Sequence, residues 1–170
     1  MTETKQPFIS EMSRRRKLNL FCKYVTLPAK VLEVGAGDGW FSRRLRERGY
    51  SATTLDLETP ADIQGDIMQW RKLGLQEASF DAVIGLELIE HIDCLDALTH
   101  LCRPGGVIML SSPHPQWDWV MKGLEAIGLN QKRTSPHSHL IDFKTIPLKN
   151  LLYQRPAYIH QVGIFSNTPR

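Results

Sequence analysis

Apolar residues recur along this chain in two rhythms, one helical and one extended, and the two take turns. Leu18, Phe21, Cys22 and Val25 fall at helical spacing and predict an amphipathic helix from about Ser13 to Val25, with Arg14, Arg15, Arg16 and Lys17 near its N-terminal end. Lys30-Val31-Leu32-Glu33-Val34 is a short apolar run stopped by three glycines, the mark of a buried parallel strand. Trp40 to Arg48 returns to helical spacing, with Phe41 and Leu45 inward and Gly49 as its stop.

The alternation continues. Ser51 to Leu57 predicts a second strand with Asp56 at its end, and Ala61 to Gly65 a very short third one before Asp66. Phe80 to Leu86 predicts a fourth, followed by a helix that turns Ile92, Leu95, Leu98 and Leu101 inward. Arg103-Pro104-Gly105-Gly106 predicts a tight turn into a fifth strand, Val107 to Ser111. Strands and helices in alternation imply a doubly wound α/β fold: a mostly parallel sheet with helices on both faces. Beyond Pro113 the pattern predicts a helix near Trp119 to Ile127, a polar loop containing histidines, a short helix near Leu148 to Tyr153 and a last strand near Tyr158 to Phe165.

Composition narrows this picture without redirecting it. With 170 residues, 42% hydrophobic and 23% charged, the chain is expected to form a single globular domain over 1–170. The formal charge of +3 permits an acidic ligand and demands none. Cys22, Cys94 and Cys102 form no CxxC pair and read as free thiols of a reducing compartment. No run is apolar enough for a signal peptide or a membrane span, so a cytoplasmic protein without a membrane partner is expected.

The chemistry concentrates at the first strand's end. Gly35, Gly37 and Gly39 give G-x-G-x-G, where glycines allow positive φ and let a ligand approach the backbone. A tight turn without ligand would carry the same residues. The dinucleotide fingerprint needs a small residue where Trp40 stands, and no Lys-Ser/Thr pair follows, which argues against nicotinamide or flavin dinucleotides and excludes a P-loop. Asp56 lies 17 residues beyond Gly39, placed to accept from both hydroxyls of a ribose, or else to serve as a turn residue or cap. Asp66 suits an adenine amino group with Ile67 covering the ring. Glu33, an acid inside a buried strand, is expected to order the glycine loop.

The run VLEVGAGDG, the strand end at Asp56, Gly65-Asp66-Ile67, FDAVIGLELIEHI and LCRPGGVIMLSSP together resemble the ordered motifs of class I S-adenosylmethionine methyltransferases, in particular small type 11 and type 23 enzymes. They cover residues 31–113. The resemblance implies a Rossmann-like methyltransferase fold and S-adenosyl-L-methionine as cofactor. It also implies Gly35, Gly37 and Gly39 against the methionine part, Asp56 on the ribose, Asp66 and Ile67 on the adenine, and the Leu86-Glu87 backbone on the methionine ammonium. Two departures stand out. Only ten residues separate Asp56 from Asp66, too few for the usual second helix, and the chain ends soon after Phe165, which suggests a truncated C-terminal hairpin and puts a seven-strand sheet in doubt.

Methyl transfer from a sulfonium is an in-line displacement, so the protein's work is to align the acceptor and exclude water, with a base where the acceptor is a hydroxyl or amine. His91, His114 and His139 are the candidate catalytic residues, with His137 beside them; each also fits a capping or surface group. Glu87, Glu90 and His91 stand at i, i+3 and i+4, spacing that would share one helical face. With His139 they resemble the E-x-x-E-H plus distant histidine of metal-dependent RNA 3′-terminal 2′-O-methyltransferases and ubiquinone-pathway O-methyltransferases. The reading preferred here is metal-free, with Glu90 capping or bonded to backbone and His91 facing the acceptor.

The expected function is therefore methyl transfer to an oxygen or nitrogen of a small-molecule acceptor, by a monomer or homodimer that takes no nucleic acid. No Asn/Asp-Pro-Pro-aromatic motif of amino-methylating nucleic-acid enzymes follows the fourth strand. The alternatives are a non-catalytic partner subunit of this fold and a metal-dependent O-methyltransferase, the RNA 2′-O type included. Arg14 to Lys17 and the arginines at 43, 44, 46 and 48 read as solvated faces, and Trp117 and Trp119 as pocket lining or core.

Overall fold

The computed structural model describes residues 8–113, 141–156 and 160–169. In chain order the elements are α1 (Phe8–Tyr24), β1 (Lys30–Val34), α2 (Trp40–Glu47), β2 (Ser51–Asp56), β3 (Ile63–Gln64), β4 (Phe80–Leu86), α3 (Leu95–Leu101), β5 (Cys102–Pro113), β6 (Leu148–Gln154) and β7 (His160–Pro169). Seven strands make one sheet in the order β3-β2-β1-β4-β5-β7-β6. β3, β2, β1, β4 and β5 run parallel; β7 is antiparallel to both β5 and β6.

The central strands are mostly apolar because both faces are covered. Val31, Ala82, Ile84, Met109 and Ile164 face one side, where Leu18 and Phe21 of α1, Val25 just after it, and Phe41 and Leu45 of α2 pack against them. Leu32, Val34, Val83, Ile108, Leu110 and Phe165 face the other, with Leu98 and Leu101 of α3 and with Phe143. Adjacent residues therefore enter opposite cores, as the period of two in a strand requires. The doubly wound, mostly parallel fold expected from the alternation is the one observed.

Three local expectations are corrected. Leu148 to Tyr153 is a strand, not a helix. Its apolar spacing imitates a helical stripe because the pairing with β7 slips at Leu148/Lys149 and again at Asn150/Leu152, which breaks the period of two. The same strand completes the C-terminal hairpin, so the sheet is not truncated. The segment after β4 is the third case: Glu87 to His91 forms turns, and the helix begins only at Leu95. The i, i+3, i+4 alignment of Glu87, Glu90 and His91 on a helix therefore does not arise.

The short link between Asp56 and Asp66 does lack a helix. Asp62 holds it in place by accepting from the Thr54 N–H and hydroxyl, both at 2.8 Å, and from the Arg46 guanidinium. The expected turn at Arg103 to Gly106 is a bulge inside β5, since Phe80 pairs with Cys102 while Ala82 pairs with Val107. The predicted helix near Trp119 to Ile127, with Trp117, Trp119, His114, His137 and His139, lies outside the described residues.

Candidate active site

At the carboxyl ends of β1 and β4 the sheet opens into a cavity of about 320 Å³, lined by Arg14, Lys17, Glu33, Gly35 to Asp38, Trp40, Phe41, Leu86 and Glu87. Two larger and more open grooves, of about 430 and 440 Å³, run along the basic outer faces of α1 and α2. Neither includes any glycine of the loop, so the smaller cavity is the one the motif builds. Gly35, Gly37 and Gly39 have φ of 69°, 54° and 64°, a left-handed region that side chains disfavour. At Gly37 an added Cβ would meet nothing within 4 Å, so its backbone faces open space.

Two carboxylates hold this loop. Asp56 Oδ2 accepts from the Gly37 N–H at 2.9 Å, and Oδ1 from the Glu58 and Thr59 N–H groups at 2.9 and 2.8 Å. Burial would raise the Asp56 carboxyl, but the bonds from Thr59, Gly37 and Glu58 outweigh it and hold it below the usual range. Glu33 accepts from the Ser42 N–H at 3.0 Å and from its hydroxyl, tying β1 to the first turn of α2 across the glycines. Burial pushes the Glu33 carboxyl up to about 7 despite those bonds. The expectation that Glu33 orders the loop therefore has a geometric basis, and Asp56 turns out to share the task.

The opposite wall is charged. Lys17 Nζ lies 2.9 Å from both Glu87 Oε1 and Ser111 Oγ, and the Ser111 hydroxyl donates to Glu87 Oε1 at 2.6 Å. His160 Nδ1 stands 3.5 Å from Glu87 Oε2. Burial would raise the Glu87 carboxyl, yet His160, Lys17 and Ser111 outweigh it and hold the group far below the carboxylate range, so it is an anion at any ordinary pH. Glu87 itself has a φ of 51°, unusual for a residue with a side chain and typical of strain kept at a functional site. Above the glycines, Arg14 Nη1 pairs with Asp38 Oδ2 at 2.7 Å.

The other predicted residues fall into place unevenly. The Glu87 N–H donates to Ser111 O at 2.8 Å, so that amide is already engaged, while Leu86 lines the cavity. Asp66 caps a short 3-10 turn at Ile67–Gln69 through the Met68 N–H at 2.9 Å. Ile67 is only 4% exposed and packs into the core. The exposed apolar side chains at that end of β2 and β3 are Leu57 and Met68. Glu90 is 1% exposed; its Oε2 has no partner among the described residues, while its carboxylate accepts from its own backbone N–H. His91 is exposed on the turn.

Sequence reasoning missed Lys17, Arg14, Asp38, Ser111 and His160. Arg14, Lys17, Leu18 and Phe21 share one face of α1, so the helical stripe that carries the core also carries two cations into the site. That signal was available in the basic run. None existed for His160, which reaches the site only because β7 pairs with β5 and sets His160 beside Pro113.

This architecture matches known proteins. A family model described as a methyltransferase domain covers residues 8–160. The chain belongs to that family. Ubiquinone biosynthesis O-methyltransferase of Dechloromonas aromatica is 33% identical over 101 residues, 49% of this chain and 44% of that enzyme. The protein of that name in Idiomarina loihiensis is 31% identical over 134 residues, 66% of this chain and 55% of its own. The methyltransferase chain thus spans about half the length of the curated relatives it matches.

Solved structures agree on the fold of this methyltransferase domain. A protein of Pyrococcus horikoshii superposes with a TM-score of 0.67 at 17% identity, over 98% of this chain and 93% of its own. The 1,6-didemethyltoxoflavin-N1-methyltransferase of Burkholderia thailandensis, seen with bound S-adenosylhomocysteine, gives 0.59 at 17% identity over 95% and 80%.

Proposed function

We propose that this domain transfers a methyl group from S-adenosylmethionine to an oxygen or nitrogen of a small molecule, with oxygen favoured by the naming of its sequence relatives. The observation that carries this reading is the glycine loop, held open by Asp56 and Glu33 over a cavity lined by paired cations and anions, Arg14 with Asp38 and Lys17 with Glu87. That mixture suits a zwitterionic ligand. Arg14 and Lys17 supply partners for a carboxylate, and Glu33 and Asp38 lie where an ammonium would be welcome. When bound, the cofactor supplies an electrophilic methyl on sulfur.

The chain's own part is alignment. The left-handed glycines let backbone approach the ligand, Asp56 holds Gly37 in place at the cavity wall, and α1 closes one side against water. A non-catalytic subunit would have no need of a φ-strained Glu87 held by Lys17, Ser111 and His160 at the same cavity.

Calorimetric titration with S-adenosylhomocysteine and with NAD tests the cofactor. Saturable micromolar binding of the first and none of the second is expected; the reverse pattern would remove the reading. Release of S-adenosylhomocysteine across a library of hydroxyl and amine metabolites then identifies the acceptor. No helix among the described residues is long and apolar enough to cross a membrane.

A further inference from the structure

We propose that His160, oriented by Glu87, is the base that deprotonates an un-ionised hydroxyl acceptor, so that the domain takes weakly acidic hydroxyl compounds and not only acceptors that arrive as anions. This rests on the methyl-transfer reading above. His160 opens β7 opposite Pro113, the last residue of β5, and so stands at the carboxyl end of the parallel strands where the cavity lies. Its Nδ1 is 3.5 Å from Glu87 Oε2, and Glu87 lines the cavity together with Gly35, Ala36, Gly37 and Leu86.

Imidazole geometry supplies the next step. With Nδ1 toward a carboxylate, the neutral ring keeps its proton there and carries its lone pair on Nε2, on the far side of the ring from Glu87. Glu87 stays anionic because Lys17 and the Ser111 hydroxyl bind its other oxygen at 2.9 and 2.6 Å, so it orients the ring without competing for the proton. The side chain of His160 is 43% exposed, which leaves it open to a ligand from solvent. This is the arrangement of a base and the group that orients it.

The step balances. The acceptor O–H proton moves to His160 Nε2, and the oxygen lone pair forms the new C–O bond. The methyl–sulfur bond breaks with its electron pair left on sulfur, giving S-adenosylhomocysteine. The imidazolium returns its proton to water.

The test uses the full chain with two phenols, 4-methoxyphenol and 4-nitrophenol. The first keeps its proton until about pH 10, as an ordinary phenol does, whereas the nitro group ionises the second near neutrality. His160→Gln is expected to lose about 10²-fold in rate with 4-methoxyphenol and less than about threefold with 4-nitrophenol. Imidazole added to His160→Ala should restore methylation of 4-methoxyphenol. Calorimetry with S-adenosylhomocysteine should give both variants the wild-type affinity, which establishes that they are folded.

Equal losses on the two phenols, no loss on either, or a wild-type chain that binds S-adenosylhomocysteine but methylates neither phenol would each overturn the base assignment while leaving the cofactor reading intact. Absence of S-adenosylhomocysteine binding in the wild type would remove both.

Discussion

Lys17 Nζ meets Glu87 Oε1 at 2.9 Å across 70 positions of sequence, and this contact fixes the first helix against the end of β4. Lys17 is mostly withdrawn from water, with 14% of its side chain exposed, while Glu87 remains partly open at 37%. Lys17→Met keeps the aliphatic stem and removes the charge. A double-mutant cycle with Glu87→Gln should report a coupling of about 1 kcal/mol in urea unfolding, kept low by the solvent reaching Glu87. Affinity for S-adenosylhomocysteine should fall in Lys17→Met as well, read by calorimetry. Additive effects in the cycle would mean that α1 is held by its apolar face alone.

Asp56 has two roles that one experiment separates. It accepts three backbone N–H bonds from the loops it joins, and it stands where a ribose is expected. Asp56→Ala should weaken S-adenosylhomocysteine binding by about 1.5–3 kcal/mol, the range for charge-assisted hydrogen bonds. Amide exchange at Gly37, Glu58 and Thr59 should accelerate in the same variant. Faster exchange with unchanged affinity would assign Asp56 to the loop and take it off the ligand.

These predictions also mark how far the sequence carried. The apolar runs 31–34, 80–86 and 107–111 announced the central strands because burial on both faces leaves little room for polar positions, and the exceptions Glu33, Asp81 and Ser111 are each hydrogen-bonded. Gly35, Gly37 and Gly39 announced the site because nothing but glycine accepts three left-handed φ values in one loop without strain. The misreadings share another cause. β6 looked helical because its bulged pairing with β7 is a tertiary fact, and the helical face at Glu87 to His91 dissolved because the strained φ of Glu87 turns the chain before α3 begins. Lys17 and His160 meet Glu87 by long-range assembly, which local periodicity does not encode.

Glu90 gives the fold a pH dependence. Burial first, and then the Glu87 anion, push its carboxyl up to about 8 from an ordinary 4.5. Between those values the folded state holds a proton that the unfolded chain has lost. The contribution of this proton to stability is therefore full below about pH 4.5 and is lost as pH rises toward 8, and Glu33, raised to about 7, acts in the same direction. Glu90→Gln fixes the neutral form. It should stabilise the protein at pH 7 by about 3 kcal/mol and have no such effect at pH 4, by urea denaturation. Parallel pH curves for variant and wild type would show that Glu90 ionises normally.

The same proton bears on metal dependence. Two carboxylates as close as Glu87 and Glu90, the second of them buried, must be compensated, by a cation between them or by protonation of one. Here Glu87 already has Lys17, Ser111 and His160 around it, and Glu90, with a carboxyl raised to about 8, is neutral at pH 7. No group of three metal-ligating side chains is gathered among the described residues, and His139 lies outside them. A divalent ion would have to displace the Lys17 ammonium and strip the Glu90 proton before either carboxylate could bind it, and each step opposes it at neutral pH. Methyl transfer should therefore survive EDTA with less than about a twofold change in rate, followed as S-adenosylhomocysteine release. Raising the pH toward 9 in the presence of magnesium or manganese should not add activity. Loss of turnover in EDTA that one divalent ion restores would place a metal between Glu87 and Glu90, and Lys17→Met would then tighten metal binding by removing its competitor.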